Sequence, residues 1–382
     1  VIVKSGIGKP GDVKDWKVSH KGKDITGSLL SATVFQNIFM PVWSCDLQVN
    51  DANNLLISAK LDVGDTIKIK VETSFGSKTD GKAEFEFVII KISGRHFENA
   101  YQQTYRIECV DKAFIENNKT RVIRGWKDKP EHTIVSDILQ MMGGSISKKD
   151  ESKNKLKVII PNFSPFAAIS LMCKTATSED GNDFMFYQLN EKGEFAFRSV
   201  AKMYKEEAGV TLRMAPAQQT QEIGDFDLMC NYFNYIIDDV DQLRNDSAGF
   251  NGSKLIQYDF INKCTVTTGE NDLNVVFSPK HQGSGATIPE LASGWFQARR
   301  DTFKKLEEYR MIVQLHGGAK FVEWLGKSIK VMVPSQQDRD ESQKVYDKEL
   351  KGKWLIAGIT HIMGHQNYAI NLELLKIEKG GE

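Results

Sequence analysis

Val63-Gly-Asp-Thr-Ile-Lys-Ile-Lys-Val71 and Leu325-Gly-Lys-Ser-Ile-Lys-Val-Met-Val333 carry nearly the same message. Laid over one another, they place Gly64 on Gly326, Ile67 on Ile329, Lys68 on Lys330, Ile69 on Val331 and Val71 on Val333. Each is a glycine turn that opens a strand with an apolar residue at every second position, the period of a sheet with one buried face. The order of the neighbouring segments matches too. An alternating strand comes first, over 43–49 in one half and 311–315 in the other. A long apolar strand ending in glycine follows the Gly-led one, over 85–94 and 355–364. The last strand begins with tyrosine, Tyr105-Arg-Ile-Glu-Cys109 and Tyr368-Ala-Ile-Asn-Leu372. Unrelated meanders share glycine turns and Ile/Val strands, but the aligned Gly-x-x-Ile-Lys core goes further. The pattern predicts a duplicated β module. Curling each copy into a barrel buries its apolar face and removes exposed edges.

The 382 residues are enough for two or more domains. Hydrophobic residues make up 41% and charged ones 26%, an ordinary globular balance. Lys+Arg and Asp+Glu both number 50, which argues against a general nucleic-acid coat. No apolar run reaches membrane-helix length, and the first residues do not read as a secretory leader. The five cysteines, at 45, 109, 173, 230 and 264, are scattered and never form a Cys-x-x-Cys pair, so buried, reduced thiols are expected.

In chain order, strands are expected over 16–20, 28–37, 43–49, 67–71, 85–92 and 105–110, with a short helix over 52–60 capped by Asp51. Residues 1–115 thus form a first β-barrel. Residues 116–208 read as an α+β middle domain. Pro130 opens a helix ended by Gly143-Gly144, a strand covers 156–160, and Ser164-Pro165 caps and starts a second helix reaching about residue 177. A hairpin over 183–188 and 194–199 turns at Asn190-Glu-Lys-Gly193. Residues 209–268 and 311–382 form the second barrel, with candidate strands over 232–237 and 255–261. Residues 269–310 are a loop and helix insertion associated with the middle domain, opened by a capping box at Thr287 and Glu290 and presenting Trp295, Ala298, Thr302, Leu306 and Tyr309 on one face. The fold class is α+β, mainly β: two similar tube-like barrels joined by smaller α+β domains.

These residues resemble the baseplate hub protein of contractile-tailed bacteriophages, a family related to the N-terminal part of the VgrG spikes of type VI secretion. The resemblance rests on Leu-x-x-Gly-Asp at 61–65, the Phe-rich hairpin 184–197 after the Ser164 helix, the helix over 295–310, and the closing strand series. It covers nearly the whole chain as a diffuse pattern. It implies a homotrimer. Three chains with two barrels each would present six units, matching a hexameric tail-tube protein on one side and a threefold central spike protein on the other. The implied partners are those two proteins and other baseplate proteins, with DNA passing through the lumen without specific binding. The implied location is the virion tail baseplate, after synthesis in the host cytoplasm. The short stretch after the last strand would leave the spike to a separate protein. The loops over 245–253 and 335–351 are expected to contact partners. The alternatives are a VgrG-like secretion spike component, or a hub fused to a cell-wall hydrolase.

No motif argues for an enzyme, a metal or a cofactor. His361-x-x-x-His365 has zinc spacing, but it falls on a strand and turn and has no third ligand. Asp238-Asp-Val-Asp241 lacks the glycine and terminal glutamate of a calcium loop. Gly283-Ser-Gly-Ala-Thr287 lacks the Gly-Lys-Ser/Thr ending of a phosphate loop, and Gly326-Lys-Ser328 is followed by a strand. There is no Gly-x-Ser-x-Gly elbow, and Cys173 has no evident histidine partner. The basic residues Arg299, Arg300, Lys304 and Lys305 alternate with acidic ones, as on a solvated helix face. No catalytic, cofactor-binding or metal residue is assigned.

Overall fold

The computed structural model describes residues 11–73, 82–99, 102–153, 155–178, 184–190, 192–214, 230–238, 254–259, 262–268, 275–279, 309–335 and 346–376. Residues 287–308 of the expected helix, the Gly283 loop and the loop over 245–253 lie outside them, and Arg310 opens a strand instead of ending that helix.

Thirteen strands form one continuous hydrogen-bonded sheet that contains both copies of the repeated module. In the first copy, Ser44–Asp51 pairs with Gln102–Val110, which pairs with Lys82–Asn99, which pairs with Thr66–Thr73. In the second, Arg310–His316 pairs with Tyr368–Leu375, which pairs with Gly352–Met363, which pairs with Ser328–Met332. Equivalent strands are therefore neighbours in the same order. The cross-strand partners match as well: Leu47 faces Ile107 as Leu315 faces Ile370, and Cys45 faces Cys109 as Val313 faces Leu372. The Gly-led turns also coincide. Gly64 and Gly326 donate their N–H to Ile89 and Ile356, 2.8 and 3.0 Å away. The long strands do differ in register. Ile89 matches Ile356 at the glycine turn but Ile359 on the tyrosine-strand side. Each long strand carries a one-residue irregularity just past the turn, between Ile89 and Lys91 and between Ile356 and Gly358, and the two strands differ by a two-residue slip against the tyrosine-led strand.

A flanking strand is added on each side of each copy. Asn231–Asp238 pairs with Arg310–His316, and Glu207–Met214 closes the ring by pairing in parallel with both Asn231–Asp238 and Ser328–Met332. The second barrel is thus hydrogen-bonded all the way round. In the first copy, Leu29–Asn37 flanks Ser44–Asp51 and Val13–His20 flanks Thr66–Thr73 in antiparallel fashion. No ladder joins those two flanking strands. Their seam is held by the Thr26–Ser28 3-10 turn, with Ile25 N–H on the Val18 carbonyl at 2.9 Å and Val18 N–H on Thr26 Oγ1 at 2.8 Å.

The middle unit packs Glu131–Met141 and Pro165–Thr175 against a two-stranded sheet, Val122–Pro130 with Lys155–Phe163, and a three-stranded one. The latter contains the expected hairpin, Phe184–Gln188 with Glu194–Ser199, plus Ser145–Lys149 in parallel. The first helix ends where expected: Gly143 is left-handed (φ +74°) and Gly144 N–H reaches the Leu139 carbonyl at 3.0 Å. The second starts at Pro165, but the Ser164 side chain makes no cap bond. Asn117 Oδ1 accepts from Phe166 N–H instead (2.8 Å), a cap supplied by a distant residue. The expected helix over 52–60 shrinks to Leu55–Ser58, with Asp51 Oδ2 accepting from Leu55 N–H at 2.8 Å. Lys254–Asp259, Cys264–Thr268 and Val275–Pro279 form a small sheet of their own.

The hairpin is buried on both faces. Phe184, Phe186, Phe195 and Phe197 enter the core of the middle unit, while Met185, Tyr187 and Ala196 join the core shared by the barrels. Gly326 makes this approach possible. Its φ is +72°, and a Cβ there would lie 2.2 Å from the Tyr187 hydroxyl. Its repeat partner Gly64 has φ +93° and open space around it. Gly326→Ala should therefore cost about 2–4 kcal/mol, combining left-handed strain with overpacking. Gly64→Ala should cost only about 1–2 kcal/mol. Denaturant unfolding of the two variants measures the difference, and equal losses would contradict the packing described.

Candidate assembly interface

The feature that binds the two modules together is a strand pair across them. Leu29–Asn37 of the first copy runs antiparallel to Gly352–Met363 of the second, pairing Asn37 with Gly358, Phe35 with Thr360, and Ala32 with Met363. Ile38 N–H adds a bond to the Ala357 carbonyl at 2.9 Å. Side chains reinforce the ladder. Asn37 Nδ2 donates to Glu373 Oε2 at 3.2 Å, close over Gly358, where a Cβ would meet that carboxylate at 2.8 Å.

Both histidines of the zinc-like spacing serve this junction. His361 is fully buried, with Nδ1 hydrogen-bonded to the Tyr368 hydroxyl at 2.7 Å and its ring 5.9 Å from that of Phe85. His365 Nε2 donates to the Leu29 carbonyl (3.0 Å), and its ring meets Trp16 edge-on at 4.7 Å. They act as strand and turn residues, and no group of three metal-ligating side chains occurs among the described residues.

The middle unit is seated against both barrels. Gln188 accepts from Trp43 N–H (3.0 Å) at Oε1 and from Trp43 Nε1 (3.1 Å) at its carbonyl, and donates to Asp111 Oδ2 (2.9 Å). On the other barrel, Tyr204 donates to the Lys353 carbonyl at 3.0 Å, and the Glu206 carbonyl accepts from Ser328 N–H at 2.8 Å. Arg198, almost buried, lies between Asp150 and Glu206, and Lys148 meets Glu206 at 2.7 Å. Burial satisfied by partners on all sides makes this cluster structural.

No cysteine forms a disulfide. Cys45 and Cys109 are directly opposed and buried, and burial pushes the Cys109 thiol up to about 12, far from a reactive thiolate. Cys173 and Cys230 are buried as expected, whereas Cys264 is exposed. Glu131 is fully buried, and burial, weakly opposed by Ser152, pushes its carboxyl up to about 7. A cavity of about 320 Å³ is lined by Ser136, Gln140, Gly144, Ser145, Ile146 and Lys149, with the Ser136 hydroxyl already donated to the His132 carbonyl. It presents no acid–base pair.

The solvent faces of the barrels carry cross-strand ion pairs. Lys68 meets Glu86 and Lys70 meets Glu84, each at 3.0 Å, and Glu72 bridges Lys14 and Lys82. Arg106 pairs with Asp46, Lys353 with Glu207, and Arg310 with Glu373. The lysines and arginines of these pairs are neutralised locally, while Lys23, Lys60 and Lys330 are exposed without an ion pair among the described residues.

No family model and no curated protein sequence matches the chain. Solved structures do. A 43 kDa tail protein of prophage MuSo2 from Shewanella oneidensis superposes with a TM-score of 0.61 at 10% identity, over 95% of this chain and 98% of the other. A tail protein from Neisseria meningitidis MC58 gives 0.57 at 12% identity, over 94% and 96%. The fold is that of phage tail proteins. An Escherichia coli type VI secretion component, described as similar to bacteriophage T4 tail proteins, shares it at a TM-score of 0.50 and 11% identity, over 96% of this chain and 79% of the other. At these identities the likeness is one of architecture.

The His361 ring gives the junction a pH dependence of known sign. Burial pulls its pKa from 6.5 to about 3, so the fold holds it neutral. Below pH 6.5 the unfolded chain takes up a proton that the fold refuses. Stability is thus complete above pH 6.5 and is lost as pH falls towards 3. His361→Phe removes this titration, and its fixed cost, an orphaned Tyr368 hydroxyl, is the same at every pH. The stability gap between the natural protein and the variant should narrow by about 2 kcal/mol between pH 6.5 and 5. Urea unfolding at the two pH values measures it; a constant gap would mean the ring takes up its proton in the fold just as it does in the unfolded chain.

Proposed function

We propose that the chain is a structural, non-enzymatic hub of a phage tail baseplate, assembling as a homotrimeric ring with pseudo-sixfold symmetry. The carrying observation is the duplicated barrel pair locked together by one shared ladder. A rigid pair of equivalent units is what a threefold ring needs in order to offer six similar positions. The ring would join a hexameric tail-tube protein to a threefold central spike protein, contact other baseplate proteins, and surround the DNA channel in the virion. The domain division is that of the sequence reading, with barrels at 1–115 and at 209–268 with 311–382, a middle unit at 116–208 and an insertion at 269–310, except that Lys254–Asp259 and Cys264–Thr268 stand apart from the second barrel in the small sheet they form with Val275–Pro279. The even balance of 50 basic and 50 acidic residues supports passage of DNA without specific binding, because retention of a polyanion draws on an excess of lysines and arginines that displace its counterions. The likeness to the secretion component supports a second reading, a type VI spike element. Co-purification with a secretion spike in preference to a tail spike would favour it.

The mass in solution tests the hub reading. The expected particle is three times the 43.1 kDa chain, alone or with its spike. A chain that stays monomeric in both conditions overturns the proposal. Duplex DNA titrated at about 0.15 M salt should bind no more tightly than roughly micromolar, the level of non-specific contacts. Tighter, salt-sensitive binding would contradict a passive channel.

A further inference from the structure

The junction inside the chain has a counterpart with one side missing. Within the chain, the strand flanking the alternating strand of copy one, Leu29–Asn37, lies on the outer edge of the long strand of copy two. The equivalent flanking strand of copy two is Asn231–Asp238, which pairs with Arg310–His316 just as Leu29–Asn37 pairs with Ser44–Asp51. The equivalent long strand of copy one is Lys82–Asn99. Among the described residues, both carry an unoccupied edge. Glu207–Met214 covers Asn231–Asp238 only at Asn231 and Tyr232, leaving Phe233 to Asp238. Thr66–Thr73 and its turn cover Lys82–Asn99 only as far as Ile89, leaving the edge from Ile90 onward.

Burial differs in the way a missing neighbour would produce. Val34 and Gln36, which point inward at the internal junction, are fully buried, whereas their counterparts Tyr235 and Ile237 are only half-buried. Ile359 is buried, and its outer-edge counterpart Ile92 is half-buried. An open apolar edge of this kind is a template for strand addition.

We propose that the Ile90–His96 edge of one copy receives the Phe233–Asp238 edge of a second copy of this chain, antiparallel, repeating between chains the ladder that Leu29–Asn37 and Gly352–Met363 make within one. Aligning the edges on Gly64 and Gly326 carries the internal pairs across: Ile359 with Gln36 becomes Ile92 with Ile237, and Thr360 with Phe35 becomes Ser93 with Ile236. The first pair is apolar and inward, and the second faces outward. Each chain then uses one edge as donor and the other as acceptor. This heterologous contact closes into a ring when the rotation per chain allows it. The inference rests on the ring reading above and names the surfaces that would form it.

A cysteine pair tests it. Ser93→Cys with Ile236→Cys, in a Cys264→Ser background that removes the exposed native thiol, should cross-link between chains with a short bis-maleimide. The expected denaturing gel shows a ladder ending at the number of copies in the ring, with at least tenfold less product from a Lys68→Cys, Ile236→Cys control. Solution mass is measured in parallel. An oligomer of correct mass without the 93–236 cross-link overturns this strand pairing and leaves the ring intact. A monomer without cross-link overturns both.

Discussion

Everything in this molecule depends on the ladder between Leu29–Asn37 and Gly352–Met363. Leu29–Asn37 is shared: one edge completes the first barrel and the other holds the second. Unmade, it would leave two rows of backbone groups without partners beside an apolar core, and each orphaned buried group costs about 1–3 kcal/mol. The side chains around it are chosen accordingly. Gly358 lets Asn37 and Glu373 approach, His361 is held neutral against Tyr368, and His365 takes up the Leu29 carbonyl. Two histidines that look like half a metal site are spent on joining sheets.

The middle unit turns this two-body joint into a three-body one. Its hairpin has no solvated face, because one side belongs to its own phenylalanine core and the other to the barrels. Gln188 grips the Trp43–Asp111 corner, while Tyr187 and Tyr204 reach the second barrel near Gly326 and Lys353. Rotating one barrel against the other would break polar contacts on both sides of the hairpin. The Gln188 and Arg198 polar clusters in it are consumed by fit.

The strands of the repeat were legible because alternation reports which face of a strand is buried, and the glycine turns report where it begins. The duplication implied one pairing order common to both copies without giving the order itself. Partners across the molecule were not legible: the alternation in Leu29–Asn37 says that Val34 and Gln36 face inward, not that Ile359 lies beside them. The same blindness hid Asn117 as the cap of a helix far along the chain, where Ser164 was the local candidate. Lys112–Lys119 was missed although Asp111 announces it, accepting from Ala113 N–H at 2.8 Å. Val122–Pro130 and Ser145–Lys149 gave too little alternation to read, with Val122 and Trp126 the buried residues of the first and none fully buried in the second. The assembly edges emerge only when one copy of the repeat is compared with the other in three dimensions.

The shared ladder also dictates an order of events during synthesis. Contacts such as Asn37 with Glu373 and His365 with Leu29 span 336 residues of chain. At ribosomal speeds of about 5–20 residues per second, the first module waits tens of seconds for its partner strand. Until then Leu29–Asn37 is an open edge beside a nearly finished barrel, able to pair with the same strand of another nascent chain. The final docking is a long loop closure, slow for entropic reasons. The feature that makes the finished protein rigid therefore makes its yield sensitive to crowding of nascent chains and to temperature during expression.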